Sequence, residues 1–211
     1  MAIAYDTGVN AGRTSSTTTK SWSHTCTGSD RFLVVSVRLL FGGTTATCTY
    51  NGVAMTRESV EGTTNNWLVT FTLTAPATGS NTVAVTATGS GLIDACSASF
   101  TGVSQTGQPT LKTNDTTSSQ DNLTLTETST TDNSWFIGNV ISSEKMVAST
   151  GATLRVSVGS GYYQAIFTNG AITPAGSASM LITVNGSVFS YQQFMIAPVS
   201  VSSFIPKVMI F

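Results

Sequence analysis

Charge is what this sequence has least of. Asp, Glu, Lys and Arg together make up 9% of its 211 residues, against about 25% in an ordinary globular domain. Its nine basic residues are spread from Arg13 to Lys207 without forming a run or a patch. Nucleic acid is therefore excluded as a partner, because phosphates are neutralised by clustered Lys and Arg, and a polybasic membrane anchor is excluded for the same reason. Long apolar runs are missing too. The longest, Phe32 to Phe41, is interrupted by Ser36 and Arg38 and is about half the length of a membrane span. A membrane β-barrel would need export and aromatic girdles, whereas the opening Met1-Ala2-Ile3-Ala4-Tyr5-Asp6 has neither the basic nor the apolar region of a secretory signal. No membrane partner is expected.

Groups that carry chemistry are equally scarce. A nucleophilic triad needs a histidine base, and the one histidine, His24, falls in mid-strand between Trp22 and Cys26, where it reads as a residue of a sheet face. No Gly-x-Ser-x-Gly elbow occurs, and no lysine follows a glycine as a phosphate loop requires. Cys26, Cys48 and Cys96 are too dispersed for a zinc knuckle; at most one pair can bridge, and they read as free buried thiols. Calcium would call for clustered acids, which are absent. Two carboxylates across a cleft would suffice for a glycosidase, and Glu58, Glu61, Asp115, Asp121, Glu127 and Asp132 are the loop candidates. Most acids lie beside turns, however, where such residues cap and bend the backbone. No catalytic, cofactor or metal residue is assigned, and a non-enzyme is expected.

Hydroxyl groups take the place of charge: 37 Thr and 28 Ser. Threonine favours strands through its branched β-carbon, and with 40% hydrophobic residues the chain can bury a core rather than remain disordered. Period-two alternation recurs from end to end, with Trp22, His24 and Cys26 on one face of a strand and Ser21, Ser23 and Thr25 on the other. Asn51-Gly52 between 47–50 and 53–56 predicts a type I′ hairpin. Seven strands fit each half of the chain, which meet at a polar connection over 104–122 with a short edge strand near 110–113.

An internal echo accompanies that division. Gly79, Ser80, Thr86, Gly89 and Ser90 each recur 97 positions later, and Pro76 recurs as Pro174. Turns converge on such residues in any case, but the echo supports pseudo-repeats over 17–103 and 123–199. The expected fold is all-β, one two-sheet antiparallel sandwich of jelly-roll type whose halves share a core, preceded by an N-terminal arm (1–16) and followed by a hydrophobic extension (200–211). Two small sandwiches in tandem are the alternative.

Recognition is what this leaves. Trp67, Tyr162 and Tyr163 lie close to predicted loops, where aromatic rings could stack on sugars. In the final eight residues, seven are apolar or proline, so Phe204, Ile205, Val208, Met209, Ile210 and Phe211 are expected to be buried, either on their own sandwich or in a partner.

Three segments, Ser99-Phe100-Thr101-Gly102-Val103-Ser104-Gln105-Thr106, Tyr50-Asn51-Gly52-Val53-Ala54-Met55-Thr56 and Asp30-Arg31-Phe32-Leu33-Val34-Val35, resemble a β-sandwich family of structural proteins of tailed bacteriophages, with related modules in bacterial surface proteins. The resemblance spans roughly residues 20–200 and rests on turns and core strands, so it carries no catalytic residues; the extension after Val199 departs from it. It implies a virion protein, assembled in the host cytoplasm and released by lysis, that binds other virion proteins and forms homo-oligomers. A capsid decoration or cement protein on the head lattice is the first expectation, and a tail or fibre component or surface module touching host glycans the second.

Overall fold

The computed structural model describes residues 1–41, 43–63, 65–115, 122–159 and 161–200. Among them there is no helix. The strands are β1 (Ala4–Cys26), β2 (Phe32–Leu40), β3 (Ala46–Tyr50), β4 (Val53–Ala54), β5 (Thr56–Thr63), β6 (Asn66–Thr74) and β7 (Gly79–Thr101), then β8 (Thr110–Asp115), β9 (Asn122–Thr128), β10 (Ser134–Ser142), β11 (Met146–Ala148), β12 (Thr153–Gly159), β13 (Tyr163–Ile172), β14 (Ser177–Val184) and β15 (Val188–Ile196). All named pairings are antiparallel. The all-β reading of the alternation therefore holds. So does the hairpin: Tyr50 pairs with Val53 across Asn51 and Gly52, whose φ angles of 51° and 77° are those a type I′ turn requires. The extended segment expected near 110–113 is β8, paired with β15.

The sheets number three, not two: β4-β3-β7-β2-β6-β5 with β1 along the other side of β7, then β12-β13-β10-β15-β8, and β11-β14-β9. The first is folded over on itself. Strand β7 pairs with β3 through residues 83–87 and with β2 through 92–100, and Gly89 and Gly91 lie at the change of partner. Strand β1 follows it on the other edge, slipping register between Thr14 and Thr19, with Ser16 at φ 55°. Such bulges let a strand bend from one layer into the next. Residues 1–16 are consequently no separate arm; Ala4 to Thr14 pair with Thr101 to Ile93. The bend brings Val83, Val85, Cys48 and Tyr50 over Leu33, Val35, Val37, Val69 and Phe71 as one core.

The second half builds a sandwich of its own, with Phe136, Val140 and Phe167 of one sheet packed on Leu123, Leu125, Met180 and Ile182 of the other. A third apolar layer joins the halves, where Phe32, Val34, Ala98 and Phe100 meet Ile137, Ile166, Phe194 and Ile196. Four strand layers with three cores between them result.

The two halves repeat one pattern of neighbours. In the first, the early part of β1, the late part of β7, β2, β6 and β5 lie side by side; in the second, β8, β15, β10, β13 and β12 do so in the same order. The late part of β1, the early part of β7 and β3 correspond likewise to β9, β14 and β11. Contacts across the seam are reciprocal. Strand β5 touches β8 and β15 while β12 touches β1 and β7, and β6 touches β10 and β15 while β13 touches β2 and β7. Corresponding faces are thus packed on each other as in a two-fold dimer, with an antiparallel bridge, Val103 to Pro198, where the last strands of the halves run out.

Phe194 is fully buried at the apolar end of this seam. Replacing it with Ala is expected to cost about 3–5 kcal/mol, the usual range for a buried Phe, with a matching fall in the denaturant midpoint.

Candidate functional site

A group of buried polar side chains gathers at the other end of the seam. In β2 the odd positions Leu33, Val35, Val37 and Leu39 enter the first core, and the even positions face the second half: Phe32 and Val34, then Ser36 and Arg38. Strand β7 follows suit, with Asp94 opposite Arg38, Cys96 opposite Ser36 and Ala98 opposite Val34. From the second half, Gln164, Asn139, Ser190 and Gln192 occupy the same layer, all fully buried. The Gln164 amide donates across the seam to Ser36 Oγ at 2.6 Å.

Arg38 organises this end. Its side chain is 0% exposed, its Nη1 donates to Asp94 Oδ2 at 2.9 Å, and its Nε donates to Asn66 Oδ1 at 2.7 Å. The ring of Tyr162 lies 4.6 Å from the guanidinium carbon and covers it on the solvent side. Asp94 also receives Arg13 through two bonds of 2.8 and 2.9 Å. Burial pulls the Arg38 pKa down and Asp94 opposes that pull; the guanidinium stays charged, since arginine starts far above neutrality. Arg13, more exposed, is raised by its hydrogen bonds to Asp94.

A second polar group lies in the first sandwich. His24 Nδ1 is 2.8 Å from Ser97 Oγ, which also accepts from Trp22 Nε1 at 3.0 Å. Asp6 is engaged elsewhere, by Ser99 Oγ at 2.8 Å and by the backbone N–H and hydroxyl of Thr27. Burial alone would raise its carboxyl, but these bonds outweigh burial and hold it below the usual range. Histidine, serine and aspartate thus share a sheet without forming a relay. His24 is 1% exposed, and burial pushes its pKa down to about 4 against a smaller upward pull from Asp6. All three cysteines are free and buried; burial pushes Cys48 up to about 12 and Cys96 higher still.

Of the six carboxylates expected in loops, Glu58, Glu61, Asp115 and Glu127 lie in strands instead, and four of the six bond to neighbouring elements. Glu58 takes the Thr72 hydroxyl and Lys112 Nζ, and Glu61 takes the Asn114 amide, so both tie β5 to the second half. Asp132 accepts the backbone N–H of Ala175 at 2.6 Å, and Glu127 accepts from Gln193 and Thr113. Asp115 is exposed at the end of β8, and Asp121 lies outside the described residues. Among the described residues no three His, Cys, Asp or Glu converge as a metal set.

The three aromatic residues proposed for sugar stacking are not brought together. Trp67 packs against the first core, Tyr163 against the core of the second half's own sandwich, and Tyr162, 37% exposed, has its ring over Arg38. Phe204, Ile205, Val208, Met209, Ile210 and Phe211 lie outside the described residues. An open cleft of about 430 Å³ is formed by Met1, Ala2, Thr131, Asp132, Asn133, Pro198, Val199 and Ser200, and the N-terminal ammonium there reaches Val199 O at 3.3 Å.

Sequence reasoning missed the polar seam. Its signal is nevertheless present, as polar residues at alternate positions inside apolar strands: Ser36 and Arg38 in β2, Asn139 in β10, Ser190 and Gln192 in β15. Compared with protein families, curated proteins and solved structures, the chain finds no match.

Asp94→Asn should cost about 3–5 kcal/mol, because it leaves Arg38 charged and buried without its counter-ion; urea unfolding reads this directly. His24 gives a pH dependence of fixed sign. The unfolded chain binds its proton near pH 6.5 and the folded protein only near 4, so the contribution is complete above pH 6.5, declines as pH falls and levels off below 4. The span amounts to about 3 kcal/mol, and His24→Gln should flatten that part of the stability profile.

Proposed function

We propose that the chain is a tandem duplication of one jelly-roll sandwich serving as a non-enzymatic structural protein of a virion, a decoration protein that covers a capsid lattice. The shared strand order supports the first part. In the first half, the outer segments of β1 and β7 pair with each other, the inner segments do likewise, and β2 and β3 join the two resulting layers in turn, as in a jelly roll. The second half follows with β8, β9, β14 and β15 as separate strands.

The observation that carries the functional reading is the chemistry of the two outer faces. Exposed positions on the first are Ser21, Ser23 and Thr25 of β1, Thr82 and Thr86 of β7 and Thr47 of β3; on the second they are Thr124, Thr126 and Thr128 of β9 with Ser177 and Ser179 of β14. None of these carries charge. They stand opposite one another across strands, Ser23 with Thr82, Thr47 with Thr86 and Thr126 with Ser179, the last pair joined by a 3.0 Å hydroxyl bond. Hydroxylated faces can lie against a protein lattice without desolvating ions, whose burial is costly, and can still make hydrogen bonds. In this reading the apolar residues from Phe204 to Phe211 supply an anchor to the lattice or to a second copy. The runner-up, a tail, fibre or surface module binding host glycans, is favoured by the exposed ring of Tyr162 alone.

Mass spectrometry of density-banded particles from the source material is expected to find the chain at hundreds of copies each. Thr82→Lys with Thr126→Lys should leave the melting temperature nearly unchanged, since surface changes cost within about 0.5 kcal/mol, yet lower particle binding at least tenfold. Absence from particles would overturn the reading. Intact binding by the Lys variant, with loss of host attachment on Tyr162→Ala, would favour the glycan-binding alternative.

A further inference from the structure

We infer that the polar end of the seam is an enclosed hydration site, a chamber between the two sandwiches that holds a small set of ordered water molecules as its ligand. Eight buried side-chain atoms there have no hydrogen-bond partner among the described residues: Arg38 Nη2, Thr70 Oγ1, Asn139 Nδ2 and Oδ1, Gln164 Oε1, Ser190 Oγ, and Gln192 Nε2 and Oε1. The six residues that carry them are all 0% exposed. Buried polar atoms are paired in folded proteins as a rule, because leaving one unpaired forfeits its hydration without return.

These atoms form one neighbourhood. Asn139 stands directly opposite Gln192 in the five-stranded sheet, and Ile141, two residues along, is flanked by Gln164 and Ser190. On the facing wall Ser36 pairs with Thr70, and Arg38 is the next residue of β2 on that face. The Gln164 to Ser36 bond fixes the two walls against each other, and β6 touches both β10 and β15.

The identity of the occupant follows from the mixture. Arg38, Asn139 and Gln192 offer N–H donors, the three amide oxygens are acceptors, and the hydroxyls of Thr70 and Ser190 can act either way. An anion would meet three carbonyl oxygens, and a cation would meet a guanidinium whose carboxylate partner is already shared with Arg13. Water both donates and accepts, and about three to four molecules, each making roughly three bonds, satisfy a set of this size. Water bridges at one end and apolar packing at the other hold the halves in a fixed register.

Two measurements test this on the full chain. An atomic-resolution crystal structure should show water density bonded to Asn139, Gln192 and Thr70; direct pairing of the Asn139 and Gln192 amides with no density between the walls would overturn the proposal. Magnetic relaxation dispersion of water oxygen should count about three to four long-lived internal waters. Most should be lost in Asn139→Leu with Gln192→Leu. An unchanged count in the folded double variant would also overturn it, and should that variant fail to fold, the wild-type crystal decides alone.

Discussion

Strand β2 is buried along its whole length, on both faces, and a strand in that position needs cover on each side. The strands of the first half supply one cover by bending β1 and β7 back over it. They cannot supply the other, because the same strands cannot lie on both faces at once. The second half does, and from this follow the stacked layers, the reciprocal contacts of β5 and β12, and a seam in which side chains from both halves are removed from water.

That seam divides the labour between two kinds of contact. Its apolar end gains from burial of Phe32, Phe100, Phe194 and Ile196, which is strong but indifferent to small shifts. The polar end, built on Arg38, Asp94 and Gln164, is directional and tolerates little displacement. A buried ion pair adds little net stability compared with apolar packing, and Arg38 and Asp94 are neighbours within the first half; the contacts that cross the seam here are the Gln164 to Ser36 bond and the Tyr162 ring over Arg38. The outer faces follow a contrary logic, spending threonine and serine where charge would be usual. The contrast is between one buried ion-pair group and outer strand positions that carry hydroxyls.

Much of the fold was legible because strand formation is local. Alternation in Trp22, His24 and Cys26, the Asn51-Gly52 turn, and the echo of Gly79-Ser80 in Gly176-Ser177 all act within a few residues, and the strands and turns are found where those signals put them. The layers were not legible. A continuous 23-residue β7 reads from sequence as two strands with a loop, since Gly89, Ser90 and Gly91 mark a bend and a turn alike, and the alternation of Ile3, Tyr5, Val9 and Ala11 before Thr17 marks a strand without naming the strand it pairs with.

The candidate site shows the same divide. Sequence alone determined an all-β chain with little charge and a hydroxylated face, because composition and period two are properties of neighbouring residues. Only the tertiary structure decided that Ser36, Arg38, Asn139 and Gln192 share one buried layer, and that Trp67 and Tyr163 pack on the cores of different halves while Tyr162 stays partly exposed over Arg38. A period-two pattern tells which residues share a face of a strand; it does not tell what that face is packed against, and that depends on contacts between residues a hundred positions apart.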